Sequence, residues 1–260
     1  MIGSTDTHNG TPGNTEEDDK EIGNKGIVDI DPLNRTYDRW PLDMTQRVAE
    51  VVNPGGLVAV WAPANTRGHI YDALQNREVY ATSGNRIQLR FFGGSGFNPA
   101  ITDPIEIVKD SYKNGIPMGG DLPPVATKPQ FVVWAKKDVN GANLERIQII
   151  KGWADETGAV YEEIFDVAVT ENVAPKGEET VNRITGDWNR KFGSEELKVV
   201  WTDEDFNPAY YSFYYVRVLE VPTASWRLWD QIRYGSDFSK EKNLVIQERA
   251  WSSPIWYSPN

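Results

Sequence analysis

The sequence predicts a chain of mixed class, an α/β strand–helix unit followed by an all-β portion built as an antiparallel β-sandwich. Three observations predict it. The continuous apolar run Leu57-Val58-Ala59-Val60-Trp61-Ala62 leads through a short loop into an amphipathic stretch, the repeating element of an α/β barrel or doubly wound sheet. From residue 81 the pattern changes, and Arg86-Ile87-Gln88-Leu89-Arg90-Phe91 alternates with period two, as in a half-buried antiparallel strand. Turn residues then separate the later strands, notably Asp138-Val139-Asn140-Gly141 and Asp155-Glu156-Thr157-Gly158.

Residues 1–56 are polar and irregular, and the acidic run Glu16-Glu17-Asp18-Asp19 reads as exposed loop. Asp43 is placed to cap a short helix to residue 52, with Met44, Val48 and Val51 on one face, and Asn53-Pro54-Gly55-Gly56 stops it. The run at 57–62 is expected to be a strand buried on both faces in a parallel sheet. Asn65 or Thr66 then caps a helix to residue 77 whose inner face carries Ile70, Ala73 and Leu74. A strand at 86–91 is broken by Gly93-Gly94-Ser95-Gly96, and Asp103 caps a short helix at 104–113 with Pro104 in its first position. Strands follow at 131–136, 146–153, 160–169, 197–201, 211–221 and 245–251, enough for a sandwich of roughly immunoglobulin size. The boundary between the α/β and all-β portions falls at 80/81, giving 1–80 and 81–260.

Composition limits the function. The chain has 260 residues, 39% hydrophobic and 25% charged, which describes a soluble globular protein. No stretch approaches the roughly 18 apolar residues that span a bilayer, and no basic segment with an apolar core opens the chain. A net charge of −11 argues against a nucleic acid partner, because phosphate binding needs a basic face, yet it is compatible with divalent cations. With no cysteine there is neither a disulfide framework nor a thiolate zinc site.

The sharpest chemical feature is Asp6-Thr7-His8. In an extended segment, residues two apart project to the same side, so both side chains can grip one divalent ion or two adjacent ones. The plain alternative is an Asp–His hydrogen bond in a loop. Arg67 falls in the first turn of the expected helix, where a cation opposes the macrodipole and is suited to holding an anion; a surface ion pair is its plain alternative. His69 reads as helix surface. Asp203-x-Asp205-x-Asn207 begins like a calcium loop but has Pro208 where Gly is needed and Tyr214 in place of the bidentate Glu. Gly93-Gly94-Ser95-Gly96 fits no phosphate-binding fingerprint, and Ser83 lacks the G-x-S-x-G elbow. The ten tryptophans divide between core packing and a sugar-binding platform, with core packing favoured by their places in strands. A catalytic zinc takes about three protein ligands, yet the chain has no H-x-H, and only Ile2-Gly3-Ser4 precedes the motif as strand. An upstream part is therefore expected to be missing.

The stretch Gly3-Ser4-Thr5-Asp6-Thr7-His8-Asn9-Gly10-Thr11-Pro12-Gly13 is similar to the last metal motif of polymerase-and-histidinol-phosphatase-like metallohydrolases. Trp61-Ala62 with Asn65-Thr66-Arg67, Tyr80-Ala81-Thr82-Ser83-Gly84, Arg90-Phe91-Phe92-Gly93-Gly94, Arg146 to Trp153 and Ile246 to Tyr257 resemble the bacterial family called domain of unknown function 3604. The resemblance covers nearly the whole chain. It implies the terminal strand–helix elements of an α/β barrel followed by a β-sandwich that packs on it, the two being the C-terminal portion of a longer protein. Carried over, Asp6 and His8 would be ligands to divalent zinc, manganese or iron, with Asn9, Thr11 and Arg67 as substrate-binding candidates. The other ligands would come from the missing N-terminal barrel segment, which in this family begins with H-x-H. The implied activity is hydrolysis of small anionic esters, phosphate or sulfate, by metal-activated water, with the isolated chain inactive. Export signals are common in the family, which favours a periplasmic or secreted location. Two rival readings are a carbohydrate-binding module and a structural domain that only buttresses the barrel.

Overall fold

The structure is a computed structural model and describes residues 1–5, 13, 15–19, 23–25, 55–124, 128–174, 179–235 and 244–259. In chain order, β1 (Glu16–Asp19) and β2 (Gly23–Lys25) pair as an antiparallel hairpin. β3 (Leu57–Val60), α1 (Arg67–Gln75), β4 (Val79–Thr82) and β5 (Gln88–Gly94) follow. Next are α2 (Pro104–Asn114), β6 (Gly115–Pro117), β7 (Asp121–Leu122) and β8 (Gln130–Lys136). The long strands are β9 (Leu144–Ala154), β10 (Val160–Val169), β11 (Glu196–Thr202) and β12 (Tyr211–Glu220). Last are β13 (Thr223–Ala224), α3 (Trp226–Tyr234), β14 (Val245–Ile246), β15 (Arg249–Ser252) and β16 (Ile255–Tyr257).

Two sheets form the layers. The larger has eight strands in the order β10-β9-β12-β15-β4-β3, with β16 joined to β12 and β7 to β16; the smaller has the order β11-β8-β5-β6. Their facing side chains make one core: Leu89, Phe91, Phe131 and Val133 from the small sheet meet Ile147, Ile149, Tyr214 and Val216 from the large one. The rings of Phe131 and Tyr214 are 4.4 Å apart. α2 covers the outside of the small sheet, where Ile107 packs with Phe92, Val132 and Trp134. Its N-terminus is as the sequence suggests, for Asp103 Oδ1 accepts the Ile105 and Glu106 N–H groups, each at 3.0 Å. Inside the large sheet, Lys151 Nζ lies 2.6 Å from Asp203 Oδ2, and the Tyr214 hydroxyl donates to that oxygen at 2.7 Å.

Several expectations need correction. β3 is not a parallel strand buried on both faces: it pairs antiparallel with β4 and Val58 is 44% exposed. A short apolar run has no periodicity by which a buried central strand and a sheet-edge strand differ. Among the described pairs only β7 with β16 is parallel. The large sheet is continuous across residue 80, since β4 pairs with both β3 and β15. Residues 16–19 are strand rather than loop. Gly93 and Gly94 lie within β5, where a Cβ on Gly94 would meet the Asn114 carbonyl at 2.5 Å; close approach of β6, not strand termination, is the reason for glycine. Leu74, placed on the inner face of α1, is 42% exposed, whereas Ala73 is buried. α3 was not anticipated. The helix expected from Asp43 lies outside the described residues.

The inter-sheet contact generates a stability prediction. Phe131→Ala empties a fully buried ring site and should lower unfolding free energy by about 3–5 kcal/mol, while Val139→Ala, at an 88% exposed position, should change it by less than about 0.5 kcal/mol. Denaturant titration of both variants checks this.

Candidate functional site

The backbone around the D-x-H stretch is held by three close approaches. Residues 3–5 run antiparallel beside 55–57, and the Gly56 N–H donates to the Ser4 carbonyl at 2.8 Å. A Cβ on Gly55, where φ is 112°, would lie 2.3 Å from the Thr5 carbonyl oxygen. One on Gly84, where φ is 135°, would lie 2.9 Å from the Gly55 carbonyl oxygen. Both positions therefore require glycine on two counts, space and a left-handed backbone. Thr15, fully buried, donates its hydroxyl to the Gly55 carbonyl at 3.0 Å. Asp6, His8, Asn9 and Thr11 lie outside the described residues, but their described flanks, Thr5 and Thr15, both meet Gly55.

A pocket of about 310 Å³ adjoins this corner, with Thr15, Ser83, Gly84, Asn85, Glu220 and Glu248 in its wall. Glu220 ends β12 and is 1% exposed; it accepts Asn85 Nδ2 at 2.8 Å and the Ala142 N–H at 3.3 Å. Glu248 is buried just before β15 and accepts the Ser83 hydroxyl. Backbone bonds tie these groups together: the Glu220 N–H donates to the Glu248 carbonyl at 2.9 Å, and the Arg249 N–H donates to Ser83 Oγ at 2.9 Å. Asn85 Oδ1 is buried with no hydrogen-bond partner among the described residues.

Two adjacent buried carboxyl groups cannot both ionise cheaply. Burial first, then the neighbouring Glu248 charge, pushes Glu220 well above the carboxylate range. Burial raises Glu248 to about 7, opposed by the Ser83 hydroxyl and the Arg249 charge. The wall thus holds two carboxyl groups that both keep their protons more tightly than free ones, with Glu248 titrating near neutrality, within one polar pocket.

The other sequence-derived candidates are elsewhere. Arg67 opens α1 and is exposed, and it is not in the pocket wall. α1 belongs to an excursion that leaves and re-enters the sheet at the Val60 end of β3, opposite Gly55, where the Trp61 N–H donates to the Glu78 carbonyl at 3.1 Å. There Arg90 stacks 3.4 Å over Trp61 and pairs with Glu78, to which Tyr112 also donates. His69 Nδ1 is 3.0 Å from the capping Thr66 hydroxyl. Of the tryptophans, Trp134 and Trp226 are buried and Trp256 is 41% exposed.

Among the described residues no group of three or more His, Cys, Asp or Glu side chains could hold a metal ion. The described residues alone therefore do not fit a resident metal, and the Glu220 and Glu248 carboxyl groups are already committed to Asn85, Ala142 and Ser83. No helix among the described residues is long and apolar enough to cross a membrane. Sequence reasoning missed Glu220, Glu248, Asn85 and Thr15. One signal was present: Glu220 closes the otherwise apolar run Val216 to Val221 save for Arg217.

The family model described as protein of unknown function (DUF3604) matches residues 1–259. No curated protein and no solved structure matches the chain.

The carboxyl pair makes stability depend on pH with a definite sign. Folding raises Glu248 from the ordinary 4.5 to about 7, so its stabilising protonated form contributes fully below 4.5 and is lost as pH rises through 7. Melting temperature should fall between about pH 5 and pH 8, by the equivalent of on the order of 3 kcal/mol. Glu248→Gln, which keeps the shape without the charge, should flatten that fall in thermal melts across the same range.

Proposed function

The chain belongs to the DUF3604 family, and from that premise we propose that it is the C-terminal portion of a polymerase-and-histidinol-phosphatase-like metallohydrolase acting on phosphate or sulfate esters. The observation that carries the reading is the double anchoring of the D-x-H stretch, with Thr5 and Thr15 both fixed on Gly55 beside the pocket. Motif positions that serve as ligands need a backbone held in place from both sides, and this corner supplies that.

Asp6 and His8 would be two ligands to a divalent ion, with Asn9 and Thr11 contacting the substrate anion, and the barrel segment outside this sequence would complete the set; Arg67, at the other end of β3, does not belong to this group. Bound metal would supply an activated water and polarise the ester oxygen. The chain's own described residues have a supporting part. Gly55, Gly84 and Thr15 hold the backbone that flanks the motif on either side, and the Glu220–Glu248 pair in the adjoining pocket can hold or release a proton. Two ligands fall short of the about three that a catalytic zinc takes, so the separate chain is inactive in this reading.

A second reading, a carbohydrate-binding module, draws on one surface feature. Phe213, Tyr215 and Trp256 share the outer face of the large sheet, with the first two rings 6.4 Å apart and inclined by 14°, and Trp256 5.3 Å from Phe213. Tryptophan fluorescence during titration with a broad glycan panel tests it, and no response removes it.

For the hydrolase, the test uses the full-length protein. Asp6→Ala and His8→Ala should each lower bound metal, measured by elemental analysis, and reduce turnover of p-nitrophenyl phosphate and p-nitrophenyl sulfate by at least about 100-fold. Full metal content and turnover in both variants would overturn the ligand assignment.

A further inference from the structure

Lys151 and Asp203 are enclosed almost completely, with side chains 6% and 1% exposed, and Nζ stands 2.6 Å from Oδ2. Every other polar atom of the pair is also engaged. Tyr214, directly opposite Lys151 in the β9–β12 ladder and fully buried, donates its hydroxyl to Oδ2 at 2.7 Å. Oδ1 accepts the Asp205 N–H at 3.2 Å, and Nζ donates to the Asp205 carbonyl at 3.3 Å. The Trp153 and Tyr214 rings face Nζ at 5.1 and 6.0 Å, so an amine and a carboxyl group are held in contact between aromatic walls.

From this geometry we propose that Lys151 and Asp203 condense in the folded protein to a covalent amide between Nζ and Cγ, a self-catalysed cross-link. Two full charges buried together keep a desolvation penalty that their attraction offsets only in part, and condensation removes both charges while keeping the connection. A site closed to water also shifts the equilibrium toward the amide and shields it from hydrolysis.

The atoms balance without any oxidant or co-reactant. One proton passes from the ammonium to Oδ2, leaving a neutral amine and a carboxylic acid. The Nζ lone pair attacks Cγ and the C–N bond forms, while the negative charge gathers on Oδ1, where the Asp205 N–H receives it. A second amine proton reaches Oδ2 with the Tyr214 hydroxyl as relay, the C–Oδ2 bond breaks, and water leaves. One ammonium and one carboxylate have become one amide and one water. Tyr214 suits the relay because burial, then the Asp203 charge, pushes its hydroxyl pKa far up, so it remains a donor. The bond would tie the middle of β9 to the connection between β11 and β12. It owes nothing to the metal motif and stands or falls separately from the proposed hydrolase.

The test is the intact mass of the unfolded wild-type chain, followed by tryptic mapping. We expect a mass one water below that of the sequence, a branched peptide containing Lys151 and Asp203, and no cleavage after Lys151. Lys151→Arg should show the full mass of its own sequence with no water lost, and Tyr214→Phe should leave an uncross-linked fraction at least several-fold larger than in wild type. A wild-type chain at full sequence mass, cleaved after Lys151, overturns the proposal, as does a water deficit mapped to any other residue. Complete conversion in Tyr214→Phe overturns the relay. The wild-type measurement decides the central point even if a variant fails to fold.

Discussion

Strand β12 hydrogen-bonds along both edges, to β9 on one side and to β15 and β16 on the other, and its inward side chains Tyr214, Val216 and Val218 reach no solvent. That position dictates most of what surrounds it. Tyr214 must lie in the core because alternation puts it there, and its ring meets Phe131 across the layers. Its hydroxyl then needs a partner where water is absent, which Asp203 provides, and the Asp203 charge needs an answering cation, which Lys151 provides from the adjacent strand. The same strand carries its last residue, Glu220, into the interior beside Glu248.

The two buried acid sites are balanced by different means. Asp203 faces a lysine at contact distance and accepts three separate donors. Glu220 and Glu248 lie close together, and amide donors at Glu220, with the Ser83 hydroxyl and the Arg249 charge at Glu248, soften the encounter without a cation in contact with both. In the first site a neighbouring cation compensates the charge; in the second a proton does. The difference follows from strand order: Lys151 is directly across the ladder from Tyr214, whereas Glu220 stands at the end of its strand against turns made of Asn85, Gly141 and Ala142.

Strands such as β5 and β12 could be read from the sequence because one face lies in the core and period two survives in their residues, whereas β8, buried on both faces, shows as a continuous apolar run. α2 could be read because Asp103 and Pro104 mark its start chemically. α3 carried comparable marks, Ser225 before it, Gly235 after it in a left-handed conformation, and Trp226, Trp229 and Ile232 at helical spacing, but it also buries Arg227 and Asp230, residues that read as solvent-facing. β3 misled because four apolar residues look alike in a parallel interior and at an antiparallel edge. In the site, Asp6-x-His8 stood out by local spacing. The carboxyl pair did not, since Glu220 and Glu248 come together only through sheet pairing, and Thr15 and Gly84 converge on Gly55 for the same non-local reason.

The pocket beside the D-x-H corner has an acidic wall, which would seem hostile to an anionic ester. Formal charge overstates that hostility. The total of −11 counts every Asp and Glu as ionised, yet burial and the Glu248 charge both push Glu220 toward its protonated form. The Arg249 charge next to Glu248 favours its ionised form and offsets the negative charge that results. The interior wall is therefore closer to a polar neutral surface than to a fixed pair of negative charges, and an anion bringing its own charge near it would push Glu248 further toward its protonated form. An acid pair arranged in this way adapts its charge to whatever the corner holds, because in a low-dielectric wall a proton is easier to move than a side chain.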